Sequence, residues 1–289
     1  MKLIASGFRI LLFSGMLMAQ CASAIGQSAY DQALELYASG KYELAMATVE
    51  LDIAQAATPD MLMLRADCRH KLGHFAEALE DYDRAKILGF DKDELYLNRG
   101  ICKTSLALYE SAKIDLSNYM QRHEEDARGY YWLATIEYMM MEHKASLRYL
   151  SEAIYLDSTY ADAYYLRAAN YADQNKMNLA FEDFQTAFEL KPSEHRSKMN
   201  MAIIMLDMGQ FKNAMELLSE LRLENLDFKA EVLYYRGEAL YNLHDMEGAC
   251  GDWVEAANLG DADAESNYRR LCIDKKDKPR FKRRLYVQF

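Results

Sequence analysis

Proline is scarce, with 3 in 289 residues, against a usual share of roughly 5%. Few positions therefore force a helix to break. With only 13 glycines as well, the chain lacks the turn residues of a loop-rich β fold, a collagen-like repeat or a disordered chain. After residue 24 no apolar run approaches the roughly 18 residues of a membrane-spanning helix. Positive charge is in deficit, at 34 basic against 45 acidic residues and a net −11. Phosphate binding needs positive surface, so a nucleic-acid partner is not expected. Catalytic motifs are missing too. There is no H-E-x-x-H pair, nucleophile elbow, phosphate loop or dinucleotide glycine signature. No constellation names a nucleophile or a general base, so neither an enzyme nor a cofactor is expected. Of six histidines only His70 and His74 are spaced like metal ligands, and Gly73 marks a turn between them. No metal site is expected there. His123-Glu124-Glu125-Asp126 reads as a solvated loop.

The first 24 residues read as a secretory signal peptide. Lys2 and Arg9 supply positive charge, Ile10 to Ala19 is a short apolar run, and Ala22-Ser23-Ala24 is an A-x-A cleavage site. Export to the periplasm or beyond is expected, with the mature chain starting at Ile25. Acylation of Cys21 is the rival reading, disfavoured because Gln20 rather than a small residue precedes it. Cys68, Cys102, Cys250 and Cys272 would remain, in a compartment that permits disulfides.

The rest of the chain repeats. Small residues recur at Ala33, Ala66, Gly100, Ala134, Ala168, Ala202 and Gly237, in steps of 33, 34, 34, 34, 34 and 35. Twelve residues after each comes a second small one: Ala45, Ala78, Ala112, Ser146, Ala180, Ala214 and Ala249. Four further on stands a large one: Val49, Tyr82, Leu116, Leu150, Phe184, Leu218 and Trp253. A fourth column, three before the second small residue, holds Tyr42, Phe75, Tyr109, His143, Met177, Phe211 and Met246, with His143 the polar exception. Such spacing predicts two antiparallel helices per repeat. The small residues let the backbones approach, and the large ones are expected to fill the gap between neighbouring repeats. One repeat cannot bury its own apolar face, so repeats must stack. Gly40, Gly73 and Gly209 fall at the turn inside their repeats, where a helix end favours a left-handed residue.

Two further columns switch together. Arg65, Arg99, Arg167 and Arg236 precede the first small residue in four repeats, and those repeats carry Asp81, Asp115, Asp183 and Asp252 three residues after the second. The other three repeats have Gln32 with Thr48, Leu133 with Tyr149, and Met201 with Leu217. Direct bidentate ion pairs between the two helices explain the joint switch. Two solvent-facing columns that agree by duplication are the alternative.

The period and columns resemble the tetratricopeptide repeat family over residues 27 to about 260. The best-matching stretch is Ala163-Tyr164-Tyr165-Leu166-Arg167-Ala168, followed by Leu179-Ala180-Phe181-Glu182-Asp183-Phe184 and Ala187-Phe188-Glu189-Leu190-Lys191-Pro192. The family's repeat-ending proline occurs only at Pro192. A looser likeness joins Gly248-Ala249-Cys250-Gly251-Asp252-Trp253 and Leu259-Gly260-Asp261-Ala262-Asp263-Ala264 to the last repeat of exported Bacteroidetes-type members. The resemblance implies an all-α, right-handed α-solenoid of about seven helix-turn-helix repeats with a C-terminal capping helix. The expected layout is signal peptide 1–24, solenoid 25–260, capping helix 261–273 and basic tail 274–289.

The resemblance also implies a concave groove lined by the first helices. One column of groove candidates is Tyr30, Met63, Leu97, Tyr131, Tyr165, Met199 and Tyr234. A second, two helical turns on, includes Tyr37, Tyr138 and Tyr241 together with His70, Thr104, Ala172 and Leu206. Tyrosine and methionine suit protein or peptide partners, although core packing is the competing role for each ring. Some family members grip a partner's terminal carboxylate with Lys and Asn. Here Tyr30 and Leu34 stand in those columns of the first repeat, so that clamp is not expected.

Cys68 and Cys102 share a column of adjacent repeats, where helices packed about 8–10 Å apart leave too wide a gap for a disulfide. Cys250 and Cys272 lie on neighbouring elements and could bond, closing a loop worth about 3 kcal/mol. Residues 269 to 284 carry nine basic side chains and two acidic ones. Lys275, Lys276, Lys278, Arg280, Lys282, Arg283 and Arg284 could meet an anionic membrane surface, an acidic partner or the acidic solenoid itself. Leu285, Val287 and Phe289 alternate with polar-edged residues, as in a strand that adds to a sheet edge. A protein-binding scaffold is therefore the expected function. A structural or assembly factor of a bacterial cell-envelope complex is the alternative.

Overall fold

A computed structural model of the chain describes residues 29–221 and 227–274. The expected signal peptide and the basic tail from Lys275 onward lie outside the described residues. The chain divides into two compact halves, Met1–Ile136 and Glu137–Phe289. Every described element is helical.

In the amino-terminal half, α1 covers 29–38, followed by α2 (Tyr42–Ala56), α3 (Pro59–Lys71), α4 (Phe75–Ile87), α5 (Asp93–Ser105), α6 (Tyr109–Met120) and most of α7 (Ala127–Met139). The carboxy-terminal half contains α8 (His143–Leu156), α9 (Ala161–Asp173), α10 (Met177–Leu190), α11 (His195–Asp207), α12 (Phe211–Ser219), α13 (Lys229–Asn242), α14 (Met246–Asn258) and α15 (Ala262–Asn267). A π-helical turn over Tyr268–Ile273 extends α15. No helix among the described residues is long and apolar enough to cross a membrane.

The columns explain this layout. Each fourth-column residue is the first residue of an even-numbered helix, from Tyr42 in α2 to Met246 in α14. The seven large residues from Val49 to Trp253 are all fully buried, each stabilising by about 1.5–3 kcal/mol on burial. Their placement corrects one expectation. A Cβ on Gly100 would lie 2.9 Å from Leu116 Cγ, and one on Gly237 would lie 2.7 Å from Trp253 Nε1. The large residue of an even helix thus fills the space beside the small residue of its own repeat, not only the gap to the next. Trp253 is held there by an Nε1–H bond of 3.2 Å to the Tyr234 carbonyl.

Every turn inside a repeat uses one left-handed residue, seven positions after the first small one. Glycine fills it at Gly40, Gly73 and Gly209, while Ala107, Met141, Asn175 and His244 take the same positive φ without being glycine. Entry to the odd helices is less uniform. Pro59 begins α3, and the Thr58 side chain accepts from the Met61 amide at 3.3 Å, the arrangement that suits a first turn with free N–H groups.

Candidate functional site

The four Arg–Asp pairs are bidentate. Arg65 Nε and Nη2 donate to Asp81 at 2.7 and 2.6 Å, and Arg99 does the same to Asp115 at 2.7 and 2.5 Å. Arg167 meets Asp183 at 2.7 and 2.8 Å, and Arg236 meets Asp252 at 2.7 Å twice. All eight side chains are buried or nearly so. In the amino-terminal half each pair is part of a larger network. Arg65 Nη1 also reaches Glu50 at 2.8 Å on the preceding repeat, and Arg99 Nη1 reaches Asp83 at 3.0 Å. Asp81 takes a second cation from Arg69 at 2.6 Å, and Asp115 one from Lys103 at 2.8 Å. These extra partners sit one helical turn past the arginine, where the later repeats have Tyr171 and Leu240. In the sixth repeat the same two columns hold Met201 and Leu217, which pack into one apolar cluster.

The groove candidates divide by burial. Met63, Leu97, Tyr165, Met199 and Tyr234 are buried and belong to the core. Each stands three residues before the small residue, a spacing that turns it toward the partner helix. Tyr165, for example, packs edge-on to Phe184 at 5.3 Å. Tyr30 and Tyr131 stay half-buried in the amino-terminal half. The second column lies nearer the turn and is less covered. Tyr37, Tyr138 and Tyr241 are half-buried, as is His70. Their rings lean on the start of the next helix or on the large column, as in Tyr37–Tyr42 at 5.4 Å, Tyr138–His143 at 6.0 Å and Tyr241–Trp253 at 5.9 Å.

Polar residues join this picture in both halves. In the amino-terminal half, Asp67 Oδ1 accepts from Tyr82 Oη at 2.7 Å and from Asn98 Nδ2 at 2.9 Å. Burial pushes the Asp67 carboxyl up to about 6, although these two donors and Lys71 oppose it. Burial, then the Asp67 charge, pushes the Tyr37 hydroxyl up to about 12. Tyr30 is raised by burial and by Asp60, Asp67 and Asp31. Asn200 occupies the column of Asn98, and where Ala169 replaces the acid it donates instead to the Tyr165 hydroxyl at 3.3 Å. In the carboxy-terminal half, burial and a bond to Asp173 raise Tyr138. The polar exception His143 joins buried Asn170 at 3.0 Å, and Asn170 donates on to Ser146 at 2.9 Å.

The segment at 123–126 is more tied down than a solvated loop. His123 stacks on Tyr119 at 4.4 Å and meets Asp93 at 3.0 Å. Burial would raise Asp126, but donors from Arg128 and Tyr119 outweigh it and hold the carboxyl at about 2. Among the described residues no group of three or more His, Cys, Asp or Glu could hold a metal ion. Cys68 and Cys102 are buried free thiols, both pushed up to about 12 chiefly by burial. Cys250 on α14 is bonded to Cys272 in the π-helical turn, with Cα atoms 5.9 Å apart.

No protein-family model matches the chain. Tetratricopeptide repeat protein 16 of Macaca fascicularis is 24% identical over 232 residues, covering 73% of this chain and 26% of that protein. The Homo sapiens protein of the same name is 23% identical over the same shares. The chain thus spans about a quarter of the length of the curated relatives it matches. Among solved structures, a tetratricopeptide repeat protein from Parabacteroides merdae superposes with a TM-score of 0.61 at 15% identity, covering 83% of this chain and 94% of that one. The fold is the tetratricopeptide repeat fold. A thermophilic protein of this type from Thermus thermophilus gives 0.52 at 19% identity, over 63% of this chain and 99% of its own. YrrB, described as a repeat protein with an unusual peptide-binding site, gives 0.50 at 16% identity over 68% and 97%.

Proposed function

We propose that the chain is a non-catalytic scaffold that holds a protein or peptide partner against the half-buried tyrosines of its odd helices. The observation that carries this reading is the split in burial. Tyr165 and Tyr234 are used up in the core, whereas Tyr37, Tyr138 and Tyr241, with Tyr30 and Tyr131, keep part of each ring at the surface. A partly exposed ring fixed by packing offers apolar area and a polar tip at little entropic cost. The peptide-binding site named for YrrB supports the same reading by analogy of fold.

Export is part of the proposal. The signal-peptide pattern of residues 1–24 and the Cys250–Cys272 bond both suit an oxidising compartment. The cluster from Lys275 to Arg284 favours a second reading, in which the tail joins the protein to an anionic envelope surface or an acidic subunit. Affinity capture from periplasmic extract, with wild type beside a Tyr37→Ala/Tyr138→Ala variant, tests the scaffold. Partner recovery should fall by about tenfold while the helical circular-dichroism signal is kept. Equal recovery from a folded variant moves the binding surface elsewhere.

A further inference from the structure

Asp67 occupies a register that is otherwise poor in charge. The residue after the first small one is Leu34, Asp67, Ile101, Thr135, Ala169, Ile203 and Glu238 along the repeats. A carboxyl there is costly to bury, and its pairing differs from that of its neighbours. Asp81 and Asp115, in the same half, are each held by at least two cations. Asp67 has two neutral donors, Tyr82 and Asn98, and both fall on Oδ1. Oδ2 accepts no hydrogen bond from a described residue. The cation that registers at Asp67 is Lys71, one turn along α3.

The surroundings suit a positive guest. Tyr30 and Tyr37 pack against the apolar cluster that contains Ala66 and Cys68, the chain neighbours of Asp67, and Tyr82, its hydroxyl donor. Tyr30, Tyr37 and Asp67 are all half-buried, and burial, with the Asp67 charge, raises both hydroxyls. Those residues are seven apart on α1, so both rings stand on one face. Asp31 and Asp60 add negative charge around Tyr30. A carboxylate with an open oxygen offers an ammonium or guanidinium a charge-assisted bond, and the half-buried tyrosines of the same cluster offer it cation–π contact.

We propose that this face of the amino-terminal half receives a lysine or arginine side chain of a basic protein segment, with the Asp67 carboxylate as its anchor. The assignment deepens the scaffold reading and rests on it.

The test is a random dodecapeptide display library panned on the full-length chain at about 0.15 M salt, where long-range attraction to the acidic surface is screened. The wild type is compared with Asp67→Asn, which keeps an acceptor for Tyr82 and Asn98, and with Glu43→Gln, an exposed acid on α2. Wild type and Glu43→Gln should both enrich Lys- or Arg-bearing peptides. Asp67→Asn should still select peptides but without that bias, and should bind the best wild-type peptide about tenfold more weakly. The same bias and affinity on a folded Asp67→Asn variant overturn the anchor and leave the scaffold standing. Selection of no peptide by any version removes the scaffold reading, and the anchor with it. Competition by a synthetic peptide of residues 275–289 that depends on Asp67 would make the chain's own tail the occupant and overturn the assignment to a foreign partner.

Discussion

At the scale of single residues, the ion pairs are not equivalent, and the difference is measurable. Asp115 neutralises both Arg99 and Lys103, so its removal takes the partner from Lys103 and leaves Arg99 with only the half-exposed Asp83. Removing Arg99 leaves Asp115 with Lys103 at 2.8 Å. Asp115→Leu should therefore cost about 3–5 kcal/mol, the usual penalty for an orphaned buried charge, and Arg99→Met clearly less. In the carboxy-terminal half, Arg236 and Asp252 have no such third member one turn on, since Leu240 stands there. Arg236→Met and Asp252→Leu should thus cost similar amounts, and the double variant should recover much of the loss. Urea melts of the four single variants decide it. Equal losses for Asp115→Leu and Arg99→Met would show that Lys103 contributes nothing to the network.

At the scale of the helix and its turn, the legible part of the sequence was whatever recurs at one spacing. Small, large and helix-starting residues recur in all seven repeats, and the Arg and Asp columns switch as a pair, so each position is read many times over. Features that occur once were not legible. Asp67 reaches Tyr82 and Asn98 from two other helices, and no column records that triad. Glu50 and Asp83, five residues after the second small residue, join the next repeat's arginine in two repeats only, too few to mark a column. The tyrosine columns were legible as columns but not as core or surface, because a stripe at helical spacing looks alike in both roles. The left-handed turn residue lies between these cases. Its column is regular in backbone angle but not in residue type, so three glycines disclosed it and Ala107, Met141, Asn175 and His244 concealed it. A left-handed residue with a Cβ costs roughly 1–2 kcal/mol. Met141→Gly and His244→Gly should each stabilise by about 1 kcal/mol despite the greater freedom of glycine when unfolded. Thermal melts that show either variant below wild type would mean that the side chain contributes more than the strain removes.

At the scale of the whole molecule, a repeat array holds together through neighbours only, and its ends have one neighbour fewer. The last repeat here is closed covalently. The Cys250–Cys272 bond, spanning 22 residues, ties α14 to the turn that ends the described chain. Asp261 caps α15 by accepting from the Ala264 amide at 2.6 Å. Leu271 is buried with Trp253 and Val232 in the same cluster, so the bond holds in place a lid over the final core. Loop entropy for a closure of this length is worth about 3 kcal/mol. Because stability in such arrays is local, that amount should not be spread over the molecule. Reduction with dithiothreitol, or Cys250→Ser with Cys272→Ser, should speed amide hydrogen exchange in α13 to α15, while α3 to α6 in the amino-terminal half keep their protection. Exchange mapped by mass spectrometry distinguishes the outcomes. Faster exchange through both halves would mean that they unfold as one cooperative body, and unchanged exchange at the end would mean that Leu271 and its neighbours hold the lid without the bond.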